Sequence, residues 1–201
     1  AVIEDDIERL YEVAGIGKKR VEKIRESWEK QKDIKNVMLF LQQYGVSTGF
    51  AAKIYRVYGK ESIDTVNKNP YKLADDIWGI GFKTADGIAT KMGYEKNDLR
   101  RCRSGLLYTL NELADEGHVF AREDQLVSAA VSLLEADEKP IRTALSDMLT
   151  TEDLIAEGEA IYLPPFYYSE KGTARKLLNL VQAQSPALFE GSLDIEAIQR
   201  K

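Results

Sequence analysis

Absences narrow this sequence first. Its 201 residues include one cysteine, Cys102, and one histidine, His118. Neither an intrachain disulfide nor a four-ligand Cys/His zinc site can be assembled from that pair. No apolar run approaches the roughly eighteen residues a membrane-spanning helix needs. The first residues, Ala1-Val2-Ile3-Glu4-Asp5-Asp6, have neither the basic start nor the apolar stretch of a signal peptide. Together with the missing disulfides this points to a reducing, cytoplasmic setting. What is present is ordinary globular material: 44% hydrophobic residues suffice for a core and argue against wholesale disorder.

Excess charge of one sign is also missing from half of the chain, a fact the overall net charge of −5 conceals. Residues 1–110 hold 20 Lys and Arg against 16 Asp and Glu, a net of +4. Residues 111–201 hold 8 against 17, a net of −9. Such asymmetry points to different partners for the two halves.

The first half reads as short helices punctuated by glycine, with apolar residues at helical spacing in Val21, Ile24 and Trp28 and again across Val37–Leu41. Asn69-Pro70 is a helix-start signal. A longer helix is expected from about Asp98 to Glu116, stopped by Gly117. A short strand over His118-Val119-Phe120 follows, then helices at about 123–134 and 138–149. A hairpin turns at Glu157-Gly158-Glu159 and is stopped by Pro164-Pro165. Helix, short strand, helix, helix, hairpin is the order of a winged-helix domain. A last helix is expected from Ser169 to about Gln184, and then a loosely tied tail.

One pattern repeats. Ala14-Gly15-Ile16-Gly17-Lys18-Lys19-Arg20-Val21, Tyr44-Gly45-Val46-Ser47-Thr48-Gly49-Phe50-Ala51 and Trp78-Gly79-Ile80-Gly81-Phe82-Lys83-Thr84-Ala85 align without gaps, each with an isoleucine three residues further on. The first glycine ends one element in a conformation cheap only for glycine. The β-branched residue pins the turn inward, and the Gly or Ser after it opens a new helix. Unpaired amides at that helix start, aided by its dipole, suit a phosphate. This resembles the helix-hairpin-helix motif, which grips nucleic-acid backbone without reading sequence. The candidate backbone contacts are Gly15, Ile16, Gly17, Lys18 and Lys19 in the first copy, and Gly79, Ile80, Gly81, Phe82, Lys83 and Thr84 in the third. The middle copy lacks the second glycine and an immediate lysine, so Gly45, Val46, Ser47 and Lys53 are weaker candidates. The same turns could also serve only as corners between packed helices.

Other motifs fail on spacing. Gly79–Thr84 lacks the four-residue spacer of a Walker loop and the third glycine of a dinucleotide fingerprint. Asp75 and Asp76 are adjacent and do not share a helix face. Arg101 and Arg103 flank Cys102 and could lower its pKa, although an idle, buried thiol fits the helix better. His118 suits capping or packing, and Phe166-Tyr167-Tyr168 suits a domain junction. No carboxylate cluster for a nuclease is visible. Residues 111–169 carry 3 Lys and Arg against 13 Asp and Glu, a surface that repels phosphate.

Leu39–Val46, Ile54–Gly59 and above all the stretch from Asn69-Pro70-Tyr71 to Thr84-Ala85-Asp86, with Gly117-His118 and Ile161–Pro164, resemble the region preceding the motor in long-form RecD-like DNA helicases of superfamily 1. The resemblance covers about residues 8–170. It implies a parent enzyme moving 5′ to 3′ along DNA in repair and recombination, with ATP and Mg²⁺ bound by a motor outside this sequence. This chain would then be an internal, non-catalytic region. The fold expected is mainly α: a tandem helix-hairpin-helix bundle over residues 1–96, a small winged-helix-like domain with a short β-hairpin over 97–168, and a helix and tail over 169–201. The expected partners are single-stranded or forked DNA, held by its phosphates, and the motor of the same polypeptide. A module that packs on the motor without touching DNA is the alternative.

Overall fold

The computed structural model describes residues 7–182. The tail expected after Gln184 lies outside them. The fold is mainly α, as the sequence implied, with one small antiparallel sheet.

A 3-10 turn at Ile7–Glu12 leads into α1 (Lys18–Gln43). The two apolar clusters read as separate short helices belong to this one helix of 26 residues. Nothing between them breaks it, since residues 18–43 contain neither glycine nor proline. Val21, Val37 and Leu41 are buried along it, while most of its middle faces solvent. Next come α2 (Thr48–Tyr58), a 3-10 turn at Gly59–Glu61, α3 (Ser62–Lys68), α4 (Lys72–Asp76) and α5 (Phe82–Lys91). The start signal at Asn69-Pro70 works as a turn. The Asn69 carboxamide oxygen accepts the Tyr71 N–H at 3.1 Å just ahead of α4.

The acidic half follows in the order read from the sequence: α6 (Leu99–Asp115), β1 (Ala121–Arg122), α7 (Glu123–Leu134), α8 (Glu138–Thr150), β2 (Ile155–Glu157) and β3 (Ala160–Tyr162). Asp98 caps α6 by accepting the Arg100 N–H at 2.9 Å. Gly117, at φ +97°, closes it with the His118 N–H on the Leu113 carbonyl. This closing turn occupies His118, so the first strand lies at Ala121–Arg122 rather than at 118–120. There Ala121 pairs with Ile161, and the sheet order is β1-β3-β2. Gly105 permits a close crossing of α6 and α7, because a Cβ there would lie 2.7 Å from a Leu134 methyl carbon.

The last helix, α9 (Pro164–Gln182), starts five residues before the expected Ser169. Pro164 and Pro165 open it instead of acting as a stop, because first-turn residues need no N–H for the helix ladder. Phe166 and Tyr167 donate their N–H groups to the Leu163 carbonyl.

Two apolar cores meet at α5. Val37, Leu41, Val46, Ala51, Ile54, Leu73, Ile80 and Ile88 form one. Phe82, Ala85 and Ala89 point into the other, with Cys102, Leu106, Leu126, Ile141 and Ile161. Burial pushes the Cys102 thiol up, against the opposing charge of Arg101. The thiol is an inert core group rather than an arginine-activated one.

Candidate nucleic-acid interface

All three turns have the backbone their pattern requires. Gly15, Gly45 and Gly79 sit at φ +88°, +81° and +92°, where any other residue is strained. Gly17, Ser47 and Gly81 are extended N-caps of α1, α2 and α5. The Ser47 hydroxyl accepts the Phe50 N–H, weakly at 3.4 Å, whereas the equivalent Arg20 and Thr84 amides of the glycine copies donate to the Gly17 and Gly81 carbonyls. The first amides of each helix have no intrahelical carbonyl to bond.

The turns are nevertheless not equivalent. Val46 and Ile80 are buried in a common core with Ala51, Ile54 and Ile88, so the second and third hairpins form one packed pair. The first hairpin lies at the opposite end of α1, about 39 Å from the second along the helix axis. Its Ile16 is only half-buried. Gly15 is tied by the Arg20 guanidinium, which donates to its carbonyl at 3.0 Å. Lys18 and Lys19 are exposed at that remote end and do not share a patch with Lys83.

Within the pair, lysines cross from one hairpin to the other. Lys53, on the helix of the second hairpin, donates to the Trp78 carbonyl at 3.3 Å and lies 3.6 Å from where a Cβ on Gly79 would be. Lys91, on the helix of the third, reaches back to Gly45, where its Nζ occupies the space a Cβ would need. The middle copy thus gains from α5 a cation that its own sequence does not supply. Lys91 carries no sequence signal for this role, because the contact joins distant parts of the chain.

The candidates in the third copy divide by atom type. Phe82 is buried, stacked between Tyr71 and Tyr108 at ring distances of 6.2 and 5.2 Å. Only its amide can serve a ligand, whereas the inward-facing Ile80 is buried and its N–H is already donated to the Ile77 carbonyl at 3.0 Å. Thr84 is exposed. Lys83 is exposed and lies 5.5 Å from the Tyr108 ring centre. The Tyr108 hydroxyl, and less strongly Glu112, hold its pKa above the ordinary lysine value, so it remains a cation.

The third hairpin is anchored from behind. Asp86 of α5 accepts both the Tyr71 hydroxyl at 2.9 Å and a two-pronged Arg101 guanidinium at 2.7 and 2.9 Å. Arg101 also donates to the Leu134 carbonyl at 2.7 Å, which ties this hairpin to the acidic half. Burial, and then the bond to Asp86, push the Tyr71 hydroxyl well above its usual pKa. Asn69, Tyr71 and Asp86, at the two ends of the stretch that carries the sequence resemblance most specifically, therefore form the mounting of the turn rather than its contact face.

The acidic half presents a different surface. Arg122 is paired with Glu159, and Arg142 with Glu123, Asp124 and Glu138. Both arginines are thus neutralised by neighbours. Among the described residues no three His, Cys, Asp or Glu side chains converge to hold a metal ion, and no helix is long and apolar enough to cross a membrane.

Comparison with known proteins agrees with this geometry. Residues 30–120 match the family described as the ATP-dependent RecD2 DNA helicase HHH domain. That span contains the second and third hairpins and leaves out the first. Over 207 aligned positions the chain is 26% identical to the ATP-dependent RecD2 DNA helicase of Deinococcus radiodurans. The alignment covers 96% of this chain and 29% of that protein, so the chain spans under a third of its relative's length. The resemblance to the pre-motor, helix-hairpin-helix region of RecD-like helicases is borne out.

Proposed function

We propose that this chain is a DNA-handling accessory region of a RecD-like helicase, holding the phosphate backbone without regard to sequence. The observation that carries this reading is the packed pair of hairpins. Two open helix starts and their glycine turns share one core, with Lys53 and Lys91 exchanged between them. Backbone amides and ammonium groups recognise phosphates and position DNA without specifying its bases. A net of +4 over residues 1–110 is modest, so binding should be weak and salt-sensitive. Unwinding 5′ to 3′ in repair and recombination would belong to the complete protein. Its ATP and Mg²⁺ would sit in the motor, since the sequence holds no Walker loop and the described residues form no carboxylate cluster to hold them.

The test is fluorescence anisotropy of the 201-residue chain with labelled single-stranded, duplex and forked DNA at low and moderate salt. Binding that falls steeply with salt and is indifferent to sequence is expected. Replacing Lys53 and Lys91 together by Glu should weaken it more than replacing Lys18 and Lys19 together. Absence of binding at low salt by the folded chain refutes the reading.

A second reading, docking on the motor, is favoured by α9. Leu177, Leu178, Leu180 and Val181 are exposed on it, more apolar surface than a solvated helix needs. Crosslinking to the motor through this helix would support that reading, and it is compatible with DNA held at the other end.

A further inference from the structure

Trp78 is the most exposed large apolar side chain of the described residues, with 90% of its surface open. The fold gives it no packing task. The equivalent position holds an exposed Ala14 in the first hairpin. In the second it holds Tyr44, half-buried with its ring edge-on to Phe40 at 5.2 Å. The turn itself is made by Gly79, so an aromatic ring is not needed to form it.

The main chain of Trp78 is nevertheless held. Lys53 donates to its carbonyl at 3.3 Å, and the same ammonium lies 5.3 Å from the indole centre and 5.5 Å from the Phe50 ring. Phe50 in turn lies against Gly79, 3.8 Å from where a Cβ would be. An exposed ring on a fastened loop, beside a cation and directly ahead of the open amides of α5, combines an aromatic platform with a phosphate cradle. That combination serves unpaired nucleic acid, whose bases are free to stack. Bases in a duplex are already stacked on one another and offer only edges and backbone.

Resting on the backbone-holding reading above, we infer that Trp78 stacks on an unpaired base of single-stranded DNA whose phosphate is held at the Gly79–Gly81 turn. The paired-hairpin surface then prefers single-stranded or forked DNA to blunt duplex, a selection by strand state rather than by sequence.

The chain contains only one other tryptophan, Trp28, so Trp28→Phe makes Trp78 the sole indole reporter. Titration of that variant with a thymine oligonucleotide should quench its emission, whereas a blunt duplex should leave it nearly unchanged. In the parent chain, Trp78→Ala should weaken single-stranded and forked binding about tenfold, the scale of one base–aromatic stack. Duplex binding should change less than about twofold, and Trp78→Phe should recover part of the loss. Thermal melts should be unaltered, because the side chain is exposed. If anisotropy reports single-stranded binding while the Trp78 emission is unquenched, or if Trp78→Ala weakens duplex and single strand alike, the stacking inference is overturned and backbone holding survives. If no DNA of any form binds, both readings fall.

Discussion

The first hairpin and the second–third pair are built on one pattern and reach different ends. Each has a glycine at positive φ, an inward β-branched residue and an extended cap opening a helix. The second and third copies bury Val46 and Ile80 in a common core. The first leaves Ile16 only partly buried at the far end of a 26-residue helix. A hairpin motif determines the course of its own backbone, and whether it becomes a surface depends on what lies behind it. Behind the third hairpin lies the Tyr71–Asp86–Arg101 network, and across from it lies a second turn.

That contrast can be tested by substitution. The largest effect is expected from Asp86→Ala, which strands the partly buried Arg101 guanidinium (side-chain exposures 18% and 13%). Removing one partner of such a pair costs on the order of 3 kcal/mol, read as a fall in the urea midpoint. Arg101→Ala should cost a similar amount, and the double variant should lose less than the sum of the two. The next comparison sets one motif position against its equivalent. Ile80→Ala should cost about 3 kcal/mol as a buried isoleucine, and Ile16→Ala less, about 1 kcal/mol, because its side chain is only partly withdrawn from water. Equal losses would mean that the first hairpin is as firmly packed as the third.

The smallest effect concerns pH. Arg100 hydrogen-bonds the Asp98 carboxylate and holds its pKa below the ordinary range; the same guanidinium donates to the Lys68 carbonyl at 2.6 Å. A carboxyl depressed in the folded state stabilises it above the unfolded value of about 3.9, and that contribution is lost as pH falls through the folded pKa. Urea melts at pH 5 and pH 3 should therefore show a loss that is shallower in Asp98→Asn, which keeps a capping oxygen but does not titrate.

Much of the local architecture was legible in the residues. Gly117 stops α6, Asp98 caps it, and Gly158 turns the hairpin, because capping and positive φ are properties of a few neighbouring residues. Where structure and residue pattern differ, the causes differ too. The 26-residue α1 reads as pieces in the sequence because its middle is polar and shows no apolar face. Pro164-Pro165 reads as a stop because proline ends a helix interior yet suits a first turn, and only the register of the following residues separates the two. By sequence Lys53 flanks its own turn, whereas in the structure it serves the next one.

The sequence by itself determined the three turns, the helical class and the separation of a mildly basic half from an acidic one. Those depend on glycine conformation, apolar spacing and charge, all of which are local or additive. Tertiary structure alone decided that the second and third turns face each other while the first stands apart. It also brought Lys91 to Gly45 and turned Tyr44 inward and Trp78 outward from one repeat position. Burial and electrostatic pairing depend on distances between segments remote in the chain, and no residue pattern encodes those distances directly.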